Sequence, residues 1–179
     1  VRVAVSGAHG RMGALVCDVV EATPGFALGA RLGRGSDSED GADDPLLVDV
    51  SHPDASPEIV ARAIDRGQRV IVGTSGWSAE RLAALEAQVR AAPGSSVLVV
   101  PNFSLGSVIG SALARIAAPH FASVEIVEAH HDRKVDSPSG TALRTAELIA
   151  DARGGEPILA PFSDQPARGQ IVSGVPVHS

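Results

Sequence analysis

The sequence predicts an α/β protein built on a doubly wound parallel sheet, and three observations carry that prediction. Short, strongly apolar runs alternate with segments of helical periodicity. The first run is followed at once by closely spaced glycines that open a helix. The apolar runs lack the polar alternation of a sheet with one wet face, so they suit strands covered on both sides.

Taken in order, Arg2 to Ser6 is the first strand. Apolar residues at Met12, Leu15, Val16, Val19 and Val20 then follow helical spacing. The second strand falls near Phe26 to Leu32, and Gly33 to Pro45, rich in Gly, Ser, Asp and Glu, reads as a solvated loop. Leu46 to Val50 is a third strand. Ser56, Pro57 and Glu58 supply an N-cap, a first-turn proline and a first-turn acid for a helix reaching about Asp65. Gln68 to Gly73 is the fourth strand, Ser78 caps a helix to about Ala91, and Ser96 to Val100 is the fifth strand.

Beyond Pro101-Asn102-Phe103 the pattern changes, which places a domain boundary there: residues 1–103 form one domain and 104–179 a second, smaller α/β domain. The second begins with a helix over Leu105 to Ala118, continues with a strand over Ser123 to Ala129, and has a further helix from about Gly140 to Arg153. After a Pro- and Gly-rich stretch, Gln170 to Val177 reads as one late strand, so this domain is expected to be incomplete at its C-terminus.

Composition narrows the function. A net charge of −6 argues against nucleic acid and anionic membrane as partners, because both require a basic face. Cys17 is the one cysteine, which excludes an internal disulfide and a cysteine-cluster metal site; its place in a helix suits a small buried hydrophobe. Val1 opens directly on a strand pattern without a leader, and no apolar run is long enough to cross a bilayer, so the chain reads as cytoplasmic. Tyr is absent, which removes reductases that use a Tyr-x-x-x-Lys acid, and no Walker-type glycine run ends in Lys.

Gly7-Ala8-His9-Gly10-Arg11-Met12-Gly13 stands between the first strand and the first helix, the context a dinucleotide fingerprint requires. Gly7 and Gly10 would admit a pyrophosphate to the backbone, and Gly13 would let helix pack on strand. An acid that grips the adenosine ribose is expected about twenty residues further on. Here the stretch is Arg31-Leu32-Gly33-Arg34, with no acid. An Arg fork suits a 2′-phosphate, which tilts the expectation toward NADPH with Arg34 the favoured contact; the alternative is that these are solvated strand-end charges.

Lys134 is the single lysine among fifteen strong bases, and it lies just after His130 and His131 and before Ser139-Gly140-Thr141. Lys is a compact cation with an adjustable pKa, whereas Arg stays protonated. Each residue alone reads equally well as surface; together they point to a site for an anion.

These residues resemble the 4-hydroxy-tetrahydrodipicolinate reductase (dihydrodipicolinate reductase) family of diaminopimelate and lysine biosynthesis. The resemblance rests on Val3-Ala-Val-Ser-Gly-Ala-His-Gly-Arg-Met-Gly13, Val48-Asp-Val-Ser-His-Pro53, Gly73-Thr74-Ser75-Gly76, Pro101-Asn102-Phe103-Ser104-Leu105-Gly106, and above all His130-His131-x-x-Lys134-x-Asp-x-Pro-Ser-Gly140-Thr141-Ala. It implies a Rossmann-type domain that binds NADPH or NADH and a second domain that binds a small dicarboxylate. It also implies a homotetramer. By the same resemblance Gly7, Ala8, His9, Gly10, Arg11, Met12 and Arg34 would hold the adenosine and pyrophosphate side. Gly73, Thr74, Ser75, Val100, Pro101, Asn102 and Phe103 would border the nicotinamide. His130 would be the proton donor, His131 a substrate contact, Lys134 its partner, and Gly140 with Thr141 a carboxylate cradle. Family chains continue past the Gly-Val-Pro-Val-His-Ser end, so a nucleotide-binding module without catalysis is the competing reading. A related dehydrogenase for an amino or semialdehyde substrate would leave the two His and the Lys unexplained.

Overall fold

The structure, a computed structural model, describes residues 1–37, 39–132, 137–155 and 169–179. The chain divides into two compact units, Val1–Pro101 and Asn102–Ser179.

The first unit is a five-stranded sheet in the order β2-β1-β3-β4-β5, with β1 Arg2–Ser6, β2 Ala27–Leu32, β3 Leu46–Asp49, β4 Arg69–Val72 and β5 Ser96–Val99. Every pairing is parallel. The chain leaves β1 toward β2 on one side and later returns to β3 on the other. Between β1 and β3 the winding therefore reverses, the place where ligands enter open α/β sheets.

Strand alternation distributes side chains to two cores. Val3 and Val5 point to one face and pack with Cys17 and Val20 of α1, Arg11–Ala22. Ala4 points to the other, joining Leu47, Val70 and Val72 beneath Val60, Ala63 and Ile64 of α2, Ser56–Asp65, and Leu85 of α3, Ala79–Ala91. Cys17 is buried as a small apolar group. Only part of the apolar spacing in α1 faces the sheet. Gly13, Cys17 and Val20 are buried, while Met12, Leu15 and Val19 lie on an adjoining exposed flank.

Two expectations in this unit are corrected. Ser56 does not cap α2: Ala55 is the N-cap, and the Ser56 hydroxyl turns inward to donate to the Asp49 carboxylate. A buried anion outcompetes a helix-end amide for that hydroxyl. The acidic stretch before β3 is not wholly solvated either. Asp44 is 3% exposed, accepts the Ala30 amide at 2.9 Å and pairs with Arg2 Nε at 2.8 Å. A Cβ on Gly29 would come within 2.2 Å of that carboxylate, so the glycine leaves it room.

The second unit holds α4, Leu105–Ala117, a 3-10 turn at Ala118–His120, and α5, Gly140–Ala152. With them is a three-stranded sheet ordered β6-β8-β7, where β6 is Ile126–Val127, β7 Gln170–Val172 and β8 Val175–His178. Its core gathers Ala118, Ala142, Ala146, Ile149, Val175 and Val177. The strand expected over Ser123 to Ala129 shrinks to two residues, because only those pair with β8. The single late strand becomes a hairpin: Ser173 and Gly174 have φ of 49° and 82°, the two positive values a type I′ turn needs.

Among the described residues, no helix is long and apolar enough to cross a membrane.

Candidate functional site

Because all five strands of the first unit run parallel, their carboxyl ends share one edge, and the loops there hold nearly all the candidate cofactor residues. Gly7 leaves β1 at φ 79°, and a Cβ on it would lie 2.5 Å from the Val50 carbonyl after β3. Its amide and that of Ala8 donate to the Leu32 carbonyl at 3.0 and 3.1 Å, which binds the turn to the end of β2. A Cβ on Gly13 would fall 2.0 Å from the Gly7 carbonyl. Both glycines are thus required by the chain's own packing. Gly10 differs, since its added Cβ would meet only the Gly7 carbonyl, at 3.3 Å. Its bareness leaves space outside the chain.

Gly10 caps α1 without a side-chain acceptor, and the first turn carries no acid. The mouth of α1 therefore combines uncapped amides, the positive end of the helix dipole and a bare glycine, the chemistry that receives a phosphate. These residues fit a dinucleotide.

At the end of β2, glycine occupies the position where a ribose acid is expected. A Cβ on Gly33 would come within 2.6 Å of the His9 ring, so the imidazole lies where a side chain at residue 33 would begin. Arg31 pairs with Glu21 at 3.0 Å, whereas Arg34 projects from an exposed position immediately beyond Gly33. His9, Arg11 and Met12 are likewise exposed along this edge.

The ends of β3 and β4 are joined by Asp49, which is fully buried. Its carboxylate accepts the Ser56 hydroxyl, the Thr74 hydroxyl at 3.0 Å and the Ser51 amide at 3.2 Å. Trp77 Nε1 donates in turn to Ser56 Oγ at 3.2 Å. Arg81 adds a second tie, donating to the Pro53 and Gly76 carbonyls at 3.1 and 2.9 Å. The Thr74 side chain is spent on Asp49, which braces the Gly73 to Ser75 loop. Val100 continues the ladder through its amide to the Val72 carbonyl at 2.8 Å, and Pro101 closes the unit.

In the second unit, α5 begins as the sequence indicates. Ser139 is its N-cap and accepts the Ala142 amide at 3.2 Å. Gly140 and Thr141 are the first helical residues, with no acid in the first turn. Asn102 braces this start: its Nδ2 donates to Thr141 Oγ1 and to Ser107 Oγ, both at 3.0 Å, and its Oδ1 accepts the Ser104 amide at 2.7 Å. Thr145 Oγ1 then lies 2.7 Å from Ser111 Oγ, extending a polar seam between α4 and α5. Phe103 is exposed.

His130 and His131 follow β6 at the surface. His130 Nδ1 is 3.6 Å from Glu128 Oε2, an ion-pair distance longer than a hydrogen bond. The Glu128 carboxylate also accepts the Ser139 amide at 2.6 Å and the Ser139 hydroxyl. Burial is the largest influence on this carboxyl and pushes its pKa up. The Ser139 hydroxyl and amide, the Ser179 hydroxyl and the charge of His130 together outweigh it, so the pKa falls below the ordinary glutamate value. The structure thus brings His130 together with the mouth of α5. Lys134 lies outside the described residues.

The sequence motifs give Glu128 and Asp49 no role of their own. Glu128 had a usable signal: it stands two residues before His130 at a strand end, where period two puts alternate side chains on one face. Asp49 had none, since an acid at a strand end looks the same whether it meets solvent or three donors.

A family profile described as dihydrodipicolinate reductase, N-terminus, matches residues 1–103, and one described as dihydrodipicolinate reductase, C-terminus, matches residues 106–179. The 4-hydroxy-tetrahydrodipicolinate reductase of Clavibacter michiganensis is 48% identical over 99% of this chain, and the chain spans 64% of that relative's length. The enzyme of the same name from Streptomyces coelicolor is 47% identical, with 74% of its length covered. Among solved structures, a dipicolinate-bound dihydrodipicolinate reductase from a Paenisporosarcina species superposes with a TM-score of 0.71 at 27% identity, covering all of this chain and 77% of the other. With both halves of its sequence matched in order, and with the reversal of winding at the glycine turn and the capped helix mouth in place, the chain belongs to the dihydrodipicolinate reductase family.

Proposed function

We propose that the protein reduces 4-hydroxy-tetrahydrodipicolinate to tetrahydrodipicolinate, a step toward diaminopimelate and lysine, with a reduced nicotinamide cofactor. The observation that carries this reading is the mouth of α5: Gly140 and Thr141 amides behind a Ser139 cap, with the His130 imidazole tied to the same cap through Glu128.

The substrate is a ring with two carboxylates, and the helix mouth offers one of them amide donors and a positive dipole end. Thr141 adds a hydroxyl whose position Asn102 sets. His130 supplies an imidazole, a side chain able to hand a proton to a reacting carbon, and serves as the acid that protonates the ring. Lys134 adds a cation two residues beyond Asp132 in sequence and would hold a carboxylate as charge develops. The reaction consumes one hydride and one proton and releases the 4-hydroxyl as water. The cofactor supplies the hydride.

In the first unit Gly7, Ala8, His9, Gly10, Arg11 and Met12 would hold the pyrophosphate side, and Gly73, Thr74, Ser75, Val100 and Pro101 the nicotinamide side. Arg34 favours NADPH, because an exposed guanidinium beyond Gly33 matches a 2′-phosphate and no ribose acid competes. A cytoplasmic setting and a homotetramer complete the reading and rest on the family resemblance.

The test is NADPH consumption with freshly made synthase product, alongside calorimetry with NADPH and with dipicolinate. His130→Ala and Lys134→Ala should each lower turnover by about 10²–10⁴. Full turnover in both variants sinks the site assignment. NADPH binding without any response to dipicolinate would favour a nucleotide-binding module.

A further inference from the structure

We infer that Glu128 is a positioning residue that links the His130 imidazole to the substrate-binding mouth of α5, so that the proton donor and the carboxylate cradle are set by a single side chain. The inference rests on the proposed reductase reading and goes beyond it by assigning a residue outside the His-His-x-x-Lys motif.

Glu128 is 12% exposed in its side chain, and both carboxylate oxygens are engaged. One accepts the Ser139 amide at 2.6 Å; the other accepts the Ser139 hydroxyl and lies 3.6 Å from His130 Nδ1. A carboxylate has no proton to give, so the Ser139 hydroxyl must spend its only proton on Glu128. Its lone pair is then aimed at the Ala142 amide, 3.2 Å away, which is the cap of α5. The carboxylate thereby dictates which way the cap points, and the cap dictates where the Gly140 and Thr141 amides face.

The same oxygen that receives the Ser139 hydroxyl sits behind Nδ1 of His130. A carboxylate beside Nδ1 favours the ring orientation that leaves Nε2 outward. The backbone of Glu128 is itself held, its amide donating to the His178 carbonyl at 2.9 Å, so the side chain starts from a fixed strand position.

The test uses Glu128→Gln, which keeps size and one acceptor oxygen but removes the charge and one of the two acceptors. Two readouts are taken, turnover under saturating NADPH and dipicolinate affinity by calorimetry, with NADPH affinity as the internal reference. Expected are a drop in kcat of about 10- to 100-fold and a rise in dipicolinate Kd of about tenfold, with NADPH Kd within about twofold of wild type. A residue that only supports the fold would instead move all three together with Tm. If Glu128→Gln keeps both kcat and dipicolinate Kd within about twofold, the inference is wrong while the reductase reading stands. If the unaltered protein neither turns over nor binds dipicolinate, both fall. Should Glu128→Gln melt well below wild type, Ser139→Ala carries the test. It leaves the carboxylate in place and cuts its link to the cap, and it must then weaken dipicolinate by about tenfold; unchanged dipicolinate binding there overturns the inference.

Discussion

Asn102 Nδ2 donates to Thr141 Oγ1 at 3.0 Å across 39 positions of sequence. Asn102 opens the second unit and Thr141 opens α5, so one amide fixes the entry of the chain to the helix mouth that the proposed reaction uses. The family resemblance implies a place beside the nicotinamide for Asn102 and beside a substrate carboxylate for Thr141. In the structure both are parts of one polar seam, with Ser107 as the third member.

Asn102→Asp separates the two functions of that side chain. The Oδ acceptor for the Ser104 amide survives, but both donations to Thr141 and Ser107 are lost and a negative charge arrives near a mouth built for an anion. Dipicolinate Kd should rise by at least about tenfold, or roughly 1.4 kcal/mol. Calorimetry that returns the wild-type Kd would remove Asn102 from the substrate side.

Glu128 sets an acid limit on stability. Its pKa is depressed in the folded protein, so its contribution is complete above the ordinary glutamate value of about 4.3 and is lost as pH falls through the lower folded value. Wild type should exceed Glu128→Gln in urea-unfolding stability at pH 7. That gap should narrow below about pH 4. A gap that is flat with pH would show that the ionised carboxylate is not the stabilising form.

Asp49 is a test of the braced loops. Asp49→Ala would strand the Ser56 and Thr74 hydroxyls and leave a void under α2, costing about 2–4 kcal/mol in urea denaturation. Asp49→Asn keeps an acceptor and most of the volume, and should cost roughly half as much. If Asn proves as damaging as Ala, the charge itself matters rather than the count of acceptors. In either variant NADPH affinity should fall, because the Gly73 to Ser75 loop loses its anchor.

The order of strands and helices was legible because it depends on local period and caps, as with Ser78 and Ser139, whose hydroxyls accept the Arg81 and Ala142 amides. What escaped depends on partners far away in sequence. Ser56 has the local signature of a cap, yet its hydroxyl is taken by an acid seven positions earlier that only the fold buries. Met12, Leu15 and Val19 carry helical spacing, yet the sheet meets a different flank of α1. In the candidate site, His130, Gly140 and Thr141 stand out as a motif, whereas Glu128 offers only its two-residue spacing to His130, and its Ser139 partner emerges when β6 and α5 come together. The hairpin at Ser173-Gly174 is written locally, in a Ser-Gly pair with turn character, although the flanking apolar residues give the whole stretch a strand-like pattern.

Cofactor choice should hinge on three neighbours at the end of β2. Arg34→Ala removes the exposed guanidinium and should raise NADPH Kd by about tenfold while leaving NADH Kd within about twofold, since only NADPH carries the 2′-phosphate. Installing the missing ribose acid is less simple. A Cβ at residue 33 would stand 2.6 Å from the His9 ring, so Gly33→Asp must push that imidazole aside and should weaken both cofactors. Combined with His9→Ala, the aspartate gains room to accept from the ribose hydroxyls and to repel a 2′-phosphate. The double variant should then bind NADH better than Gly33→Asp alone and discriminate against NADPH by at least about tenfold. Equal NADH affinity in the single and double variants would mean that His9 does not control this position.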